Sequence, residues 1–352
     1  METDAWMIYG AYGYTGKLVV EEALARGHRP LLAGRDPERL EAVAAAFGLP
    51  FRVLDLRDAN ALTGALLGRR LVLHCAGPFS RTSAPMVEAC LRAGVHYVDI
   101  TGEIPVFEAI FARDEEARRR RVALLPGAGF DVVPSDCLAR YVADRCPGAT
   151  SLELFIDAGS STSAGTARSM LEAVPEGGRV RRGGRLVPFP LGQGGRTVRF
   201  AHGERRTLPI PWGDLATAYR STGIPDITTY MAAPPGAESA LKLLGGLLQK
   251  ALASERIRAA FDRIAADLAR PPDAAQRRSG RTGFYARAAD GSGHVAEAWL
   301  ETPEAYALTA MSTVRIVERL LAGAYAGALT PSLAFGADFV LEIPGTRRRD
   351  AL

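Results

Sequence analysis

The chain has 352 residues, 47% hydrophobic and 23% charged, which excludes a disordered or low-complexity protein and leaves room for two domains with cores of their own. Its formal net charge of +4 comes from arginines scattered along the chain, with Lys17, Lys242 and Lys250 the only lysines, so the concentrated basic element of a nucleic-acid binder is missing. Cys75, Cys90, Cys137 and Cys146 form no C-x-x-C pair, which argues against zinc or a disulfide frame, and no apolar run approaches the ~20 residues of a membrane span.

A strand predicted over 6–9 runs straight into Gly10-Ala11-Tyr12-Gly13-Tyr14-Thr15-Gly16, and a helical pattern follows over 15–26. The early strand leaves no space for a secretory leader, so a cytoplasmic location is expected. A strand is predicted over 29–35, then a helix with Asp36 as N-cap and Pro37 as its first residue. Strands over 51–55, 71–75, 96–100 and 122–125 alternate with helices over 58–67, from Pro85 to 93, and over 104–120. Such alternation predicts an α/β class, a Rossmann-type doubly wound parallel sheet, occupying 1–148.

After Pro147-Gly148 the pattern changes. Residues 150–158 alternate as a half-buried strand, the glycine- and arginine-rich stretch 177–203 reads as hairpins and loops, and 282–287 with 294–301 read as a hairpin. A second α+β domain on a mostly antiparallel sheet is therefore expected over 149–310. A long helix is predicted over 312–328, and 311–352 is expected to pack back on the first domain. The leucine-rich segment 240–253 reads as a helix whose broad apolar face packs into the second domain. The sharper alternatives are a lid over an apolar substrate or a peripheral membrane contact.

The glycine turn has a direct chemical reading. Gly10 lets the chain turn off the strand, Gly13 has no Cβ to block a pyrophosphate, and Gly16 lets the helix pack close, so its amino end faces the anion. The cofactor-contacting set is Gly10, Tyr12, Gly13, Tyr14, Thr15 and Gly16, followed by Arg35. A dehydrogenase using NAD places a carboxylate at the end of its second strand; Gly34-Arg35 stands there instead, and a guanidinium fork suits a 2′-phosphate. NADP(H) is the expected cofactor. Asp55 is placed to reach the adenine amino group or to cap the next helix. Cys75, Ala76, Gly77, Pro78 and Phe79 are expected under the cofactor ribose, with Phe79 beside the nicotinamide, while His74 reads as a core histidine.

Proton donors are sought at the carboxyl ends of the later strands, in Asp99-Ile100-Thr101-Gly102-Glu103 and in the run from Pro126 through Asp131 to Asp136. Asp131 and Glu103 are the leading pair, whereas Ser135 and Asp136 read better as caps of a helix at 137–141. Other chemistries fail at specific positions. Gly16-Lys17-Leu18 lacks the hydroxyl of a P-loop, no lysine is preceded four residues earlier by tyrosine, and neither Gly-x-Ser-x-Gly nor His-Glu-x-x-His occurs.

Together these motifs resemble the saccharopine dehydrogenase-like reductases, within them the bacterial branch that includes trans-acting enoyl reductases. Gly165-Thr166-Ala167-Arg168-Ser169-Met170, Thr302-Pro303-Glu304-Ala305-Tyr306 and Leu329-Thr330-Pro331 extend the likeness through most of the chain. The resemblance implies a Rossmann domain binding NADP(H), an α/β substrate domain, and hydride transfer to a C=C or C=O of an apolar, acyl-type substrate, small or carrier-bound, lodged between the domains. Saccharopine reductases carry a tyrosine shortly after the fifth strand and a cysteine near the nicotinamide; here Glu103 stands in the first place and no clear equivalent of the second is present, which weighs against amino-acid substrates. The rival readings are an imine or opine-type reductase, with Arg168 or Arg220 taking carboxylates, and a non-catalytic NADP-binding or lipid-associated protein. A homodimer is compatible with either.

Overall fold

The computed structural model describes residues 5–158, 177–252, 254, 257 and 271–351. Strands covered by helices on both faces must be apolar throughout, and the amino-terminal strands are. β1 (Trp6–Tyr9), β2 (Leu31–Gly34) and β4 (Leu71–His74) are buried at every residue, and β5 (His96–Asp99) and β6 (Ala123–Leu125) nearly so. Only the edge strand β3 (Phe51–Val53) is exposed along its length. The intervening helices are α1 (Tyr14–Ala25), α2 (Pro37–Phe47), α3 (Ala59–Leu66), α4 (Phe79–Ala93), α5 (Ile104–Phe111) and α6 (Asp114–Arg119). Asp36 caps α2 by accepting from Arg39 N, and Gly48 ends it in the left-handed region at φ 61°. Met7, Tyr9, Leu31, Ala33, Val72, Tyr97 and Leu124 form one apolar layer of this sheet, against residues of α3, α4 and α5.

Local signals missed two boundaries. α4 starts at Phe79 and carries Pro85 inside it, whereas sequence spacing started it after Pro85. The helix predicted over 104–120 is interrupted, with α5 ending at Phe111 and α6 beginning at Asp114.

α7 (Val133–Arg145) leads to a nine-stranded sheet. Its strands are β7 (Ser151–Asp157), β8 (Gly178–Arg182), β9 (Arg185–Phe189), β10 (Arg196–Phe200), β11 (Gly203–Pro209), β12 (Asp226–Ala232), β13 (Arg281–Ala289), β14 (Val295–Pro303) and β16 (Arg347–Arg349). The main path runs β10-β11-β12-β7-β13-β14-β16, with β8 on β12 and β9 on β8. Among the described residues of this sheet, only β12 with β7 is a parallel pair. Tyr230, Phe155, Tyr285 and Trp299 face one another directly across four strands, and their rings stack at centroid distances of 4.4, 5.2 and 4.8 Å. Helices α8 (Asp214–Thr222), α9 (Ala237–Leu252) and α10 (Ala274–Ser279) belong to the same part of the chain.

The predicted terminal helix is displaced. α11 spans Ala305–Ala322, and Gly327–Ala328 forms the short strand β15, ahead of α12 (Pro331–Phe335). β15 pairs in parallel with β6, completing a seven-stranded sheet of order β15-β6-β5-β4-β1-β2-β3. The chain divides into two compact units, Met1–Val133 with Tyr306–Ala334, and Pro134–Ala305 with Phe335–Leu352.

Candidate functional site

The turn after β1 is built around absent side chains. Gly10 has φ +86° and donates its N–H to Ala33 O at 2.8 Å; a Cβ on it would meet Ala76 Cβ at 2.8 Å. A Cβ on Gly16 would run into the carbonyl oxygen of Gly10. Gly13 enters α1 in an extended conformation, provides no side-chain cap, and no acidic residue lies in the first turn. The amino end of α1 therefore carries its partial positive charge with no acidic residue of its own first turn to offset it. Tyr12, Gly13, Tyr14 and Thr15 are half-buried around it, and the Tyr14 ring meets the Tyr306 ring of α11 edge-on at 5.0 Å.

At the end of β2 a Cβ on Gly34 would overlap the Tyr12 ring, so Tyr12 lies directly on that glycine. The Arg39 guanidinium sits over the same ring, 4.7 Å from its centroid, and Arg35 is exposed next to Gly34. The nearby acids are already engaged. Asp36 Oδ1 accepts from Arg39 N at 3.1 Å, and Asp55 is clasped by Arg57, with Nη2 to Oδ2 at 2.6 Å. Those Arg57 bonds hold the Asp55 carboxyl down at about 2. Asp58, rather than Asp55, caps α3, accepting from Ala61 N at 2.9 Å.

Beyond β4 the chain crosses under this turn, Cys75 N donating to Tyr9 O at 2.7 Å and Ala76 packing against Gly10. Thr82 Oγ1 donates to Ala76 O at 2.7 Å and pins the same loop. Burial pushes the Cys75 thiol up to about 12, so it is a protonated thiol rather than a nucleophile. Phe79 is 7% exposed and lies edge-on to His74 at 5.4 Å, which makes it a core residue at the start of α4. His74 is fully buried, and burial lowers it to about 4, so it is neutral.

The turns after β5 and β6 are joined by one buried carboxylate. Asp99 Oδ1 accepts from Thr101 N and Gly127 N, both at 2.9 Å, and Oδ2 accepts from the Tyr97 hydroxyl at 2.7 Å. Burial raises Asp99 and these bonds partly offset it, leaving it at about 6. Glu103 reaches back across the sheet edge to α4, where its two carboxylate oxygens accept from Phe79 N and Ser80 N, each at 2.8 Å. It is the cap that the α4 amino end lacks locally.

Asp131 is different. Its carboxyl lies against Gly102, where an added Cβ would come within 2.5 Å of Oδ2, while Oδ1 is buried and has no hydrogen-bond partner among the described residues. Burial pushes its pKa up to about 7. The loop carrying it is clamped by α11: Phe130 N donates to Thr309 Oγ1 at 2.9 Å, and Ser312 Oγ donates to Ala128 O at 2.7 Å. Gly129 allows this approach, since a Cβ there would meet Thr309 Cγ2 at 2.8 Å. Thr309, Ser312 and Arg39 were not singled out from sequence. The run of hydroxyls at 309, 312 and 313 inside an apolar helix was the available signal.

The structure thus brings the glycine turn, Arg35 and the loop through Ala76 around one edge of the parallel sheet, with Asp131 at the same carboxyl edge. It commits Asp55 to Arg57 and Glu103 to α4, and places Phe79 in the core. Ser135 and Asp136 lie within α7 and bond side chains at α8, Ser135 Oγ to Asp214 at 2.9 Å and Asp136 from Ser221 Oγ at 2.7 Å. In α9, Leu243, Leu244 and Leu247 are exposed, contrary to a fully packed apolar face. The motif at 165–170, including Arg168, lies outside the described residues.

The cradle fits a dinucleotide phosphate: Gly10 and Gly16 permit a tight turn that a Cβ would break, Gly13 leads into a helix end with no acid in its first turn, and Asp36 and Asp55 are engaged elsewhere. Comparison with known proteins agrees. Residues 6–125 match the family profile of the saccharopine dehydrogenase NADP binding domain. A trans-acting enoyl reductase of Mycobacterium leprae is 38% identical over 139 residues, covering 37% of this chain and 33% of that protein. One of Mycobacterium tuberculosis is 33% identical over 138 residues, covering 37% and 33%. These matches span about a third of the length of the curated relatives. Among solved structures, saccharopine dehydrogenase (L-Glu forming) of Saccharomyces cerevisiae aligns over 99% of both chains with a TM-score of 0.67 at 12% identity, a likeness of fold. Residues 6–125 thus match the saccharopine dehydrogenase NADP binding domain, and the chain as a whole has the fold of saccharopine dehydrogenase.

Proposed function

We propose that this protein is an NADPH-dependent reductase acting on a C=C, or C=O, of an apolar acyl-type substrate. The observation that carries the reading is Asp131, a buried carboxyl with a free oxygen, raised to about 7, at the carboxyl edge of the sheet that holds the dinucleotide cradle. The amino end of α1 and the Gly10–Gly13–Gly16 turn hold the pyrophosphate, and Arg35 takes the 2′-phosphate. Ala76 and Gly77 let the backbone come close to the ribose. When bound, NADPH supplies a hydride. Asp131 carries a proton near neutral pH and delivers it from Oδ1 to the substrate atom that gains negative charge as the hydride arrives. Thr309 and Ser312 keep that carboxyl in place by fixing the loop on either side of Gly129.

The enoyl reductases matched above support a C=C substrate, and the exposed leucines of α9 offer the kind of surface a long acyl chain or a lipid layer would use. The test is NADPH oxidation screened against enoyl thioesters, ketones and pairs of amino and keto acids. Turnover with enoyl thioesters that falls at least a hundredfold in Asp131→Asn supports the reading. Turnover only with amino-acid and keto-acid pairs moves the protein to the imine-reductase class, and cofactor binding without turnover on any acceptor removes the catalytic reading.

A further inference from the structure

We infer that Arg39, seated on Tyr12, is a second guanidinium of the 2′-phosphate site and sets the preference for NADPH over NADH jointly with Arg35. The inference rests on the cofactor reading above and deepens it. It starts from a stack of three residues: Gly34 has no side chain, the Tyr12 ring lies on it, and the Arg39 guanidinium lies over that ring at 4.7 Å. A long arginine on the exposed first turn of a helix would ordinarily sample many rotamers. Resting on an aromatic face removes much of that freedom before a ligand arrives.

Both guanidinia are open to an incoming anion. Among the described residues neither Arg35 nor Arg39 is in an ion pair, although many of the chain's other arginines are. Of the nearby carboxylates, Asp36 caps α2 through Arg39 N and Asp55 has both oxygens held by Arg57, while Glu38 and Glu41, which flank Arg39 on α2, form no ion pair with either arginine among the described residues. Arg35 follows β2 directly, and Arg39 stands one helical turn later, so both project from the strand end that faces the ribose in this class of fold. Tyr12 belongs to the glycine turn itself. The pyrophosphate cradle and the Arg39 perch therefore share one rigid loop, which fixes the distance between the two phosphate-binding groups.

The experiment is titration calorimetry with NADPH and NADH, and with adenosine 2′,5′-bisphosphate and 5′-AMP as probes that lack nicotinamide. It compares the unaltered protein with Arg39→Gln, Arg35→Gln, the double variant, Tyr12→Leu and Tyr12→Phe, each checked for an unchanged melting curve. A charge-assisted contact to phosphate predicts roughly a tenfold to hundredfold loss of NADPH and bisphosphate affinity in Arg39→Gln, with NADH and 5′-AMP within about twofold. Tyr12→Leu should show a smaller loss in the same direction, and Tyr12→Phe, which keeps the aromatic face under Arg39, a loss smaller still. Equal losses for phosphorylated and unphosphorylated probes, or no loss at all, overturn the assignment of Arg39 while leaving the cofactor reading intact. If the unaltered protein binds neither dinucleotide, the cofactor reading falls and this inference falls with it.

Discussion

Replacing Glu103 separates a structural carboxylate from a catalytic one. Its two oxygens accept from Phe79 N and Ser80 N at 2.8 Å each, so Glu103→Ala leaves the first two amides of α4 without their partner. Loss of a cap costs ~1–2 kcal/mol, and removal of a negative charge from a helix amino end adds about 0.3–1 kcal/mol. Ser80 is exposed and water takes over its amide, whereas Phe79 is 7% exposed and recovers less. The sum is about 2 kcal/mol for Glu103→Ala and about 1 kcal/mol for Glu103→Gln, which keeps one acceptor. At ~2–4 °C per kcal/mol for a domain of this size, melting of the cofactor-binding unit should fall by roughly 4–8 °C in the alanine variant and about half that in glutamine. Scanning calorimetry at neutral pH measures this, with NADPH titration in parallel. Unchanged melting combined with loss of turnover by orders of magnitude would show that Glu103 acts on the substrate and that the cap is incidental.

Asp131 should behave in the opposite way. Its folded pKa of about 7 lies above the ordinary 3.8, so the fold loses stability as pH rises from about 4 through 7 and the buried carboxyl ionises. Asp131→Asn should therefore melt higher than the unaltered protein at pH 8, equal it near pH 4, and lose the alkaline limb of the rate profile; a variant less stable at pH 8 would contradict the burial argument. Glu318 gives the reverse dependence. Burial raises it, but hydrogen bonds from Arg26, His28 and Arg315 outweigh that and hold it at about 2, below the usual 4.5. Its contribution is complete above about pH 4.5 and disappears as pH falls towards 2, so Glu318→Gln should destabilise by about 1–2 kcal/mol at pH 7, after allowance for its partial exposure, and by progressively less in acid denaturation series run at lower pH. Cys75, with its thiol at about 12, should react with iodoacetamide at pH 8 far more slowly than free cysteine; rapid labelling in the folded state, read by mass spectrometry, would refute the raised pKa.

What was legible in the sequence was local. Asp36-Pro37 announces α2 because cap and first helical residue are adjacent, and the Gly10–Gly13–Gly16 spacing announces a cradle because each glycine answers a clash within a few residues or with the neighbouring strand. α4 was misjudged for the converse reason. Its cap is Glu103, 24 residues downstream, so no nearby residue marks the start, and Pro85 looked like the better boundary. The placement of Tyr12 between Gly34 and Arg39 involves no periodicity and no motif, only the return of β2 beside the turn. Asp131 stood out as an acid at a strand end, but that it lacks a partner while Glu103 has two depends on packing that spacing does not encode.

The short strand β15 has a consequence for how the protein is made. Gly327 N donates to Val122 O and Leu329 N to Leu124 O, each at 2.9 Å, so the open side of β6 is filled by residues translated about two hundred positions later. Until the ribosome has delivered them, the nascent cofactor-binding unit has an unpaired edge and lacks the threonine and serine that steady its acid-bearing loop. A fragment ending at Val133 should accordingly be prone to self-association through that bare strand. The nucleotide-binding unit is therefore an early start that stays unsealed until residues 327–329 have been made.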